Sequence, residues 1–404
     1  SSLSEGNHTF QTRATDEVGN TGGPDYHNWT IDLTNPIVTI SSGPNDPTNN
    51  QSATFEFSSN EADSTFQCKI DSGSWSSCSS SISYSDLSED THIFQVKTTD
   101  EAGNTGSPDY HNWTIDLSGP AASISSGPSN PTNNQSALFQ FATEDTSDTF
   151  QCKMDSGSWS NCTSAKSYSN LSEGIHSFSV KATDISGNTG AIDYHNWTVD
   201  LTNPVATVST GPSNPTNSQS ATFQFASNEN YSTFQCKIDS ENWSNCSNPK
   251  SYSSLSEGNH SFQVKATDEA GNIGNPTYHN WTIDITNPTT SISSGPTNRT
   301  NNQSATFEFS SNELNSTFQC TIDNSIWSSC SSPKSYSNLS EGNHTFYARS
   351  IDIAGNIGNF TSYAWEIDIT GPVAIITSYP HQLTNNQSAT FYFDSNELNS
   401  TFQC

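Results

Sequence analysis

The chain has 404 residues, 12 Lys+Arg against 41 Asp+Glu, and a formal net charge of -29. Only 30% is hydrophobic and 13% charged, against about 45–50% and about 25% in globular domains. So acidic a surface repels phosphate backbones, which argues against a nucleic-acid partner, and no run of about 18 apolar residues is available to span a membrane.

Read in chain order, residues 1–32 match 85–116, the closing part of a unit whose full form first occurs at 33–116. In that unit Val38 and Ile40 mark a short first strand that stops at Gly43-Pro44, a turn signal. Ala53, Phe55 and Phe57 alternate with polar residues, the period of a half-buried strand. Phe66, Cys68 and Ile70 alternate next, and Asp71–Ser74 turns the chain toward Trp75 and Cys78. Tyr84 and Leu87 anchor a further strand and corner, and Phe94, Val96 and Thr98 alternate up to a turn at 100–104. Trp113 and Ile115 face inward on the last strand, which closes in I-D-L-S-G-P (Ile115–Pro120); proline cannot continue a ladder, so the next unit begins there.

The same text returns at 117–200, 201–284 and 285–368, and residues 369–404 match 33–68. Cysteines at 68, 152, 236, 320 and 404 and tryptophans at 29, 113, 197, 281 and 365 all step by 84 residues. A fixed period with no insertion is the signature of a tandem array. The two end pieces lack only a counterpart of Lys69–Tyr84, so the chain reads as a window on a longer array, ending on a cysteine whose partner position lies beyond it. The other reading is a processed subunit whose broken ends complete each other between neighbours by strand donation.

About seven short strands per unit, turn chemistry every 8–14 residues and no helical period predict an all-β fold. The expected architecture is a tandem array of immunoglobulin-like antiparallel β-sandwiches with an 84-residue repeat. One wet face per sheet accounts for the Ser, Thr and Gln at every second position. Such small cores gain from a staple. The cysteines ten residues apart flank the 71–74 turn, so they should lie opposite each other across a hairpin and pair as Cys68–Cys78, Cys152–Cys162, Cys236–Cys246 and Cys320–Cys330. Zinc would need four ligands at closer spacings. Disulfides imply an oxidising, extracytoplasmic setting.

The stretches FQCKIDSGSWSSC (Phe66–Cys78), SYSDLSE (Ser83–Glu89), His92–Asn104 and WTID (Trp113–Asp116) resemble a bacterial Ig-like module, repeated in very large secreted and cell-surface proteins of bacteria and some archaea. The resemblance runs through every unit. It implies a surface or extracellular protein and is silent on a ligand, because fold is not function.

Four kinds of chemistry can be weighed. Nine of the ten histidines occupy two registers, represented by His92 and His111. They are expected at opposite ends of one strand pair, unable to share a metal, and hydrogen-bonded to the main chain. Calcium has candidates in Asp100, at a loop, and Asp116, at the junction with the next unit, since acidic oxygens at module junctions suit Ca²⁺. The plainer role for Asp100 is to cap its own turn, with Gly103 and Asn104 at positive φ. Glycosylation is the third: among twenty-one N-x-S/T sequons, Asn28, Asn112, Asn196 and Asn280 open N-W-T with outward parity, while Asn50, Asn134, Asn302 and Asn386 open N-Q-S, with Ser218 in the one odd copy. Catalysis is the fourth, and no nucleophile elbow, His-Glu zinc pattern or phosphate loop occurs. Lys–Asn cross-links need a buried lysine, whereas Lys97 has outward parity.

No cofactor is therefore expected, calcium aside. The sequence points to a structural extracellular protein, part of a filament, stalk or rod, with copies of itself or further repeats as partners. An adhesin module that binds carbohydrate or protein, or the spacer of a large secreted hydrolase, are the alternatives.

Overall fold

The computed structural model describes residues 2–404, and every regular element among them is a β-strand. The opening fragment is one antiparallel hairpin, β1 (Gly6–Thr12) with β2 (Asp25–Ile31). The first full repeat supplies β3 (Val38–Ser42), β4 (Ala53–Ser59), β5 (Thr65–Ile70), β6 (Ser76–Cys78), β7 (Ile82–Tyr84), β8 (Asp90–Thr99) and β9 (Asp109–Ile115). They form two antiparallel sheets, in the orders β3-β4-β7 and β6-β5-β8-β9. The same orders recur in the next two repeats; in the last, the two-residue strand Arg299–Thr300 joins the larger sheet.

Alternation explains the layers. In β4, Ala53, Phe55 and Phe57 are buried while Thr54 and Glu56 are exposed; in β8, His92, Phe94, Val96 and Thr98 are buried. The inner faces meet in a cluster of Val38, Ala53, Phe55, Phe57, Cys68, Phe94, Val96, Trp113 and Ile115. Phe55 stacks on Phe94 across the sheets at 4.0 Å between ring centres, and Trp113 lies 5.2 Å from Phe55. Aromatic contacts of this kind concentrate burial in few residues, which is how so polar a chain closes a core.

Two compact units are distinguished, Ser1–Thr202 and Asn203–Cys404. The first holds the cluster just described and a second built from Ala122 to Val199. The second holds clusters from Ala206 to Ile283 and from Ala305 to Ile367. The buried members of each cluster come from a single 84-residue block, and Leu201, the first residue of the following block, packs against the second cluster.

Two sequence expectations need correcting. His92 and His111 are not at opposite ends of their strand pair: His92 faces Trp113 and Phe94 faces His111, so the two rings flank Trp113 at 5.4 and 6.2 Å. The register places the two pairs either side of the middle of the ladder, only two positions apart. The two cysteines are also not directly opposite. Cys68 pairs with Ser76 and Phe66 with Cys78, so the bridge crosses its hairpin diagonally.

The last strand β9 would leave an open sheet edge, a template for unwanted pairing. Thr48 covers it: its N–H donates to the Thr114 carbonyl at 3.0 Å and its own carbonyl accepts from Asp116 N–H at 3.0 Å. Thr132 does the same beside Val199.

Candidate functional site

The candidate site is the junction between successive repeats, formed by the segment after one last strand and the β8–β9 turn of the next repeat. Asp100 organises that turn: Oδ1 accepts from Asn104 N–H at 2.8 Å and Oδ2 from the Asn104 side-chain amide at 2.9 Å. These bonds hold the Asp100 carboxyl below its ordinary pKa in spite of the opposing effect of burial. Asp100 does cap its turn and Gly103 does take positive φ (96°), but Asn104 does not. Asn104 acts through its side chain instead.

The same Asn104 amide also donates to the main-chain carbonyl of Asp32, in the segment leaving the preceding hairpin, at 3.0 Å. One side chain thus ties a repeat to its predecessor. Asn188 repeats the bond to Asp116 O at 2.8 Å, and Asn356 to Asp284 O at 2.7 Å. At the middle of these three junctions the Ser186 hydroxyl adds a bond to Asp116 Oδ2 at 3.1 Å. Behind the turn the main chains touch. A Cβ on Gly106 would lie 1.9 Å from the Pro36 carbonyl oxygen, on Gly190 1.8 Å from that of Pro120, and on Gly358 2.0 Å from that of Pro288. Only glycine permits that approach.

Acidic groups gather around the tie. Asp32, Glu61 and Asp100 each bring a carboxylate oxygen within 4.8 Å of the others, and Asp284, Glu313 and Asp352 do likewise. Burial, and then the charges of Asp32 and Asp100, push the Glu61 carboxyl up; Glu313 is raised by burial, Asp352 and Asp284. Asp100 and Asp116, the two calcium candidates, belong to different junctions: Asp100 meets Asp32, while Asp116 meets the turn that begins at Asp184. Asp32, Glu61 and Asp100 offer oxygens of the kind Ca²⁺ takes, as part of a set of six to eight, while both Asp100 oxygens also accept from Asn104. Glu61 escaped the sequence reading. Its signal was recurrence, since an acid stands at 61, 145, 229, 313 and 397.

The remaining residues are placed as follows. Bonds join Cys68–Cys78, Cys152–Cys162, Cys236–Cys246 and Cys320–Cys330, each with Cα atoms 5.8 Å apart, and Cys404 is free and exposed. The glycosylation candidates Asn28, Asn112, Asn196 and Asn280 are exposed on last strands, and Asn50, Asn134, Asn302 and Asn386 are exposed in loops, each with its Oδ1 accepting from the N–H two residues on. His111 Nε2 lies 3.0 Å from the Pro44 carbonyl oxygen, a structural contact.

Residues 248–328 match the family described as bacterial Ig-like domain (group 3), a stretch just under one period that begins inside one repeat and ends inside the next. No curated protein matches. Similar solved structures include a tetra-tandem repeat from the extending region of a large adhesion protein (20% identity, TM-score 0.31, covering 83% of this chain and 99% of that one). Two more are immunoglobulin domains 1–5 of Sidekick-1 (11%, 0.33, covering 90% and 95%) and fibronectin(III)-like modules of Clostridium thermocellum CbhA (14%, 0.26, covering 40% and 94%). The chain is a tandem array of Ig-like β-sandwiches whose repeat is similar to the bacterial Ig-like domain.

Proposed function

We propose that the chain is a load-bearing segment of a large extracytoplasmic surface or secreted protein, of the adhesion type, in which sandwiches are coupled in series with little slack. The observation that carries this reading is the junction tie. The Asn104, Asn188 and Asn356 amides each bond their own turn and the carbonyl of the preceding segment, beside a glycine–proline contact with no room for a Cβ. A filament or stalk follows if further copies continue the series.

Disulfides suit that role, because a bridged hairpin cannot be pulled out beyond its staple, and they require an oxidising compartment. Single-molecule stretching tests the proposal. The chain should unfold one block at a time, each event releasing roughly 220–260 Å of contour. The bridge spans a sequence separation of 10, so reduction should lengthen each step by roughly 35 Å. Smooth extension without discrete steps would rule the role out.

A further inference from the structure

The outer face of the sheet β6-β5-β8-β9 carries cations that no carboxylate neutralises. Lys69 Nζ stands 5.2 Å and Lys97 Nζ 4.8 Å from the centre of the Trp75 ring. Lys153 and Lys181 stand 5.2 and 4.9 Å from Trp159, and Lys237 and Lys265 stand 5.4 and 4.8 Å from Trp243. In the last full repeat the Arg349 guanidinium lies 4.5 Å from Trp327. Ring quadrupoles hold such cations in place.

These six lysines are half of the 12 Lys+Arg in a chain with 41 Asp+Glu. Yet the ion pairs among the described residues involve only histidines and Arg299. The reason is local. The register sets Lys69 beside Gln95 and Gln67 beside Lys97, and the other outward positions of β5 and β8 hold only Thr and Ile. The next outward residue across the sheet is Tyr110, facing Gln95 and 63% exposed. Each platform therefore joins two ammonium groups, amides, a phenol and an indole, and it recurs in the next two repeats, whereas the last full repeat has Thr321, Arg349 and Ser362 in place of the two lysines and the tyrosine.

We propose that this face binds an acidic polysaccharide, a chain of uronate- or sulfate-bearing sugars. The anionic substituents meet the unpaired ammonium groups, the sugar hydroxyls meet the Gln amides and the Tyr110 phenol, and the apolar ring faces meet the aromatic side chains. An acidic protein would satisfy the lysines but leave the rest of the platform unused. The net charge of -29 does not oppose local binding, because at physiological ionic strength charges beyond about 8 Å are largely screened. Repetition adds avidity when one polymer reaches two platforms. This binding does not depend on the load-bearing role.

The test is calorimetric titration of the full chain with polygalacturonate, dextran and poly-L-glutamate at about 50 mM salt. Polygalacturonate should bind, dextran and poly-L-glutamate much more weakly. The combined change Lys97→Glu, Lys181→Glu and Lys265→Glu should weaken binding by about tenfold or more, whereas Lys→Arg at the same three positions should preserve it. Tyr110→Ser with Tyr194→Ser and Tyr278→Ser provides a second variant set with charge unchanged, and should also weaken binding. Absence of polygalacturonate binding, equal binding of poly-L-glutamate, or an unaffected glutamate variant that melts as the parent does would each overturn the proposal.

Discussion

His92 and Asp71 form a pair in which Nδ1 lies 2.8 Å from the carboxylate Oδ2, while His92 Nε2 lies 2.9 Å from the Ser88 carbonyl oxygen. Both ring nitrogens face acceptors, so the imidazole is best satisfied carrying both protons. Asp71, held at positive φ (49°) in the hairpin turn, also accepts from Ile93 N–H through Oδ1 at 2.9 Å. The unit recurs as His176–Asp155, His260–Asp239 and His344–Asp323.

Burial alone would lower the His92 pKa, but the bonds to Ser88 and Asp71, with the charges of Asp71 and Asp90, raise it. A folded value above the unfolded one stabilises the fold fully below the ordinary histidine range, near about 6.5, and the gain is lost as pH rises through the raised value. Melting temperature should therefore fall on going from about pH 6 to above the raised value. Asp71→Asn, with the same change at 155, 239 and 323, should flatten that slope and cost about 1.5–3 kcal/mol per repeat. Thermal melts across this range check both points.

Phe94→Ala removes one ring of the fully buried Phe55–Phe94 stack and should cost about 3–5 kcal/mol. Because the cluster that holds Phe94 lies wholly within 33–116, the loss should appear as one early transition while the other blocks melt as before. Calorimetry separates that outcome from a uniform shift.

Reduction should act on all four bridged repeats at once. A staple closing so short a loop, with a sequence separation of 10, contributes about 2–3 kcal/mol in the chain-entropy account. Cys68→Ser with Cys78→Ser should lower the denaturant midpoint of a single block by a matching amount, read by urea titration.

The strand pattern was legible because alternation leaves little choice: Ala53, Phe55 and Phe57 must share a face, and that face must be the dry one. Details of register were not. A symmetric reading of the Cys68–Cys78 turn overlooked that the ladder aligns Cys68 with Ser76, which depends on turn geometry. The histidines were misplaced because β8 runs ten residues and only its first seven, Asp90 to Val96, pair with β9. Glu61 and Trp75 were not singled out as site residues for another reason: each acquires its surroundings from strands distant in sequence, Glu61 from Asp32 and Asp100, and Trp75 from Lys97.

Burial, and then the like charges around them, raise the pKa of Glu61 and Glu313. A carboxyl raised in the folded state is a liability above its ordinary range, since folding disfavours its ionised form. Glu61→Gln with Glu313→Gln should raise the melting temperature at pH 7 in EDTA and leave it unchanged at pH 4, where the carboxyls are largely protonated. A lower melting temperature at pH 7 would contradict a net penalty from burial and repulsion at these two carboxyls.

Small-angle X-ray scattering of the full chain in solution, beside a variant carrying Asn104→Ala, Asn188→Ala and Asn356→Ala, bears most directly on the serial coupling. Each of the three amides ties a repeat to its predecessor within one compact unit. The account predicts that the distance distribution of the parent chain broadens when the three amides are lost. A distribution the same in parent and variant would contradict it.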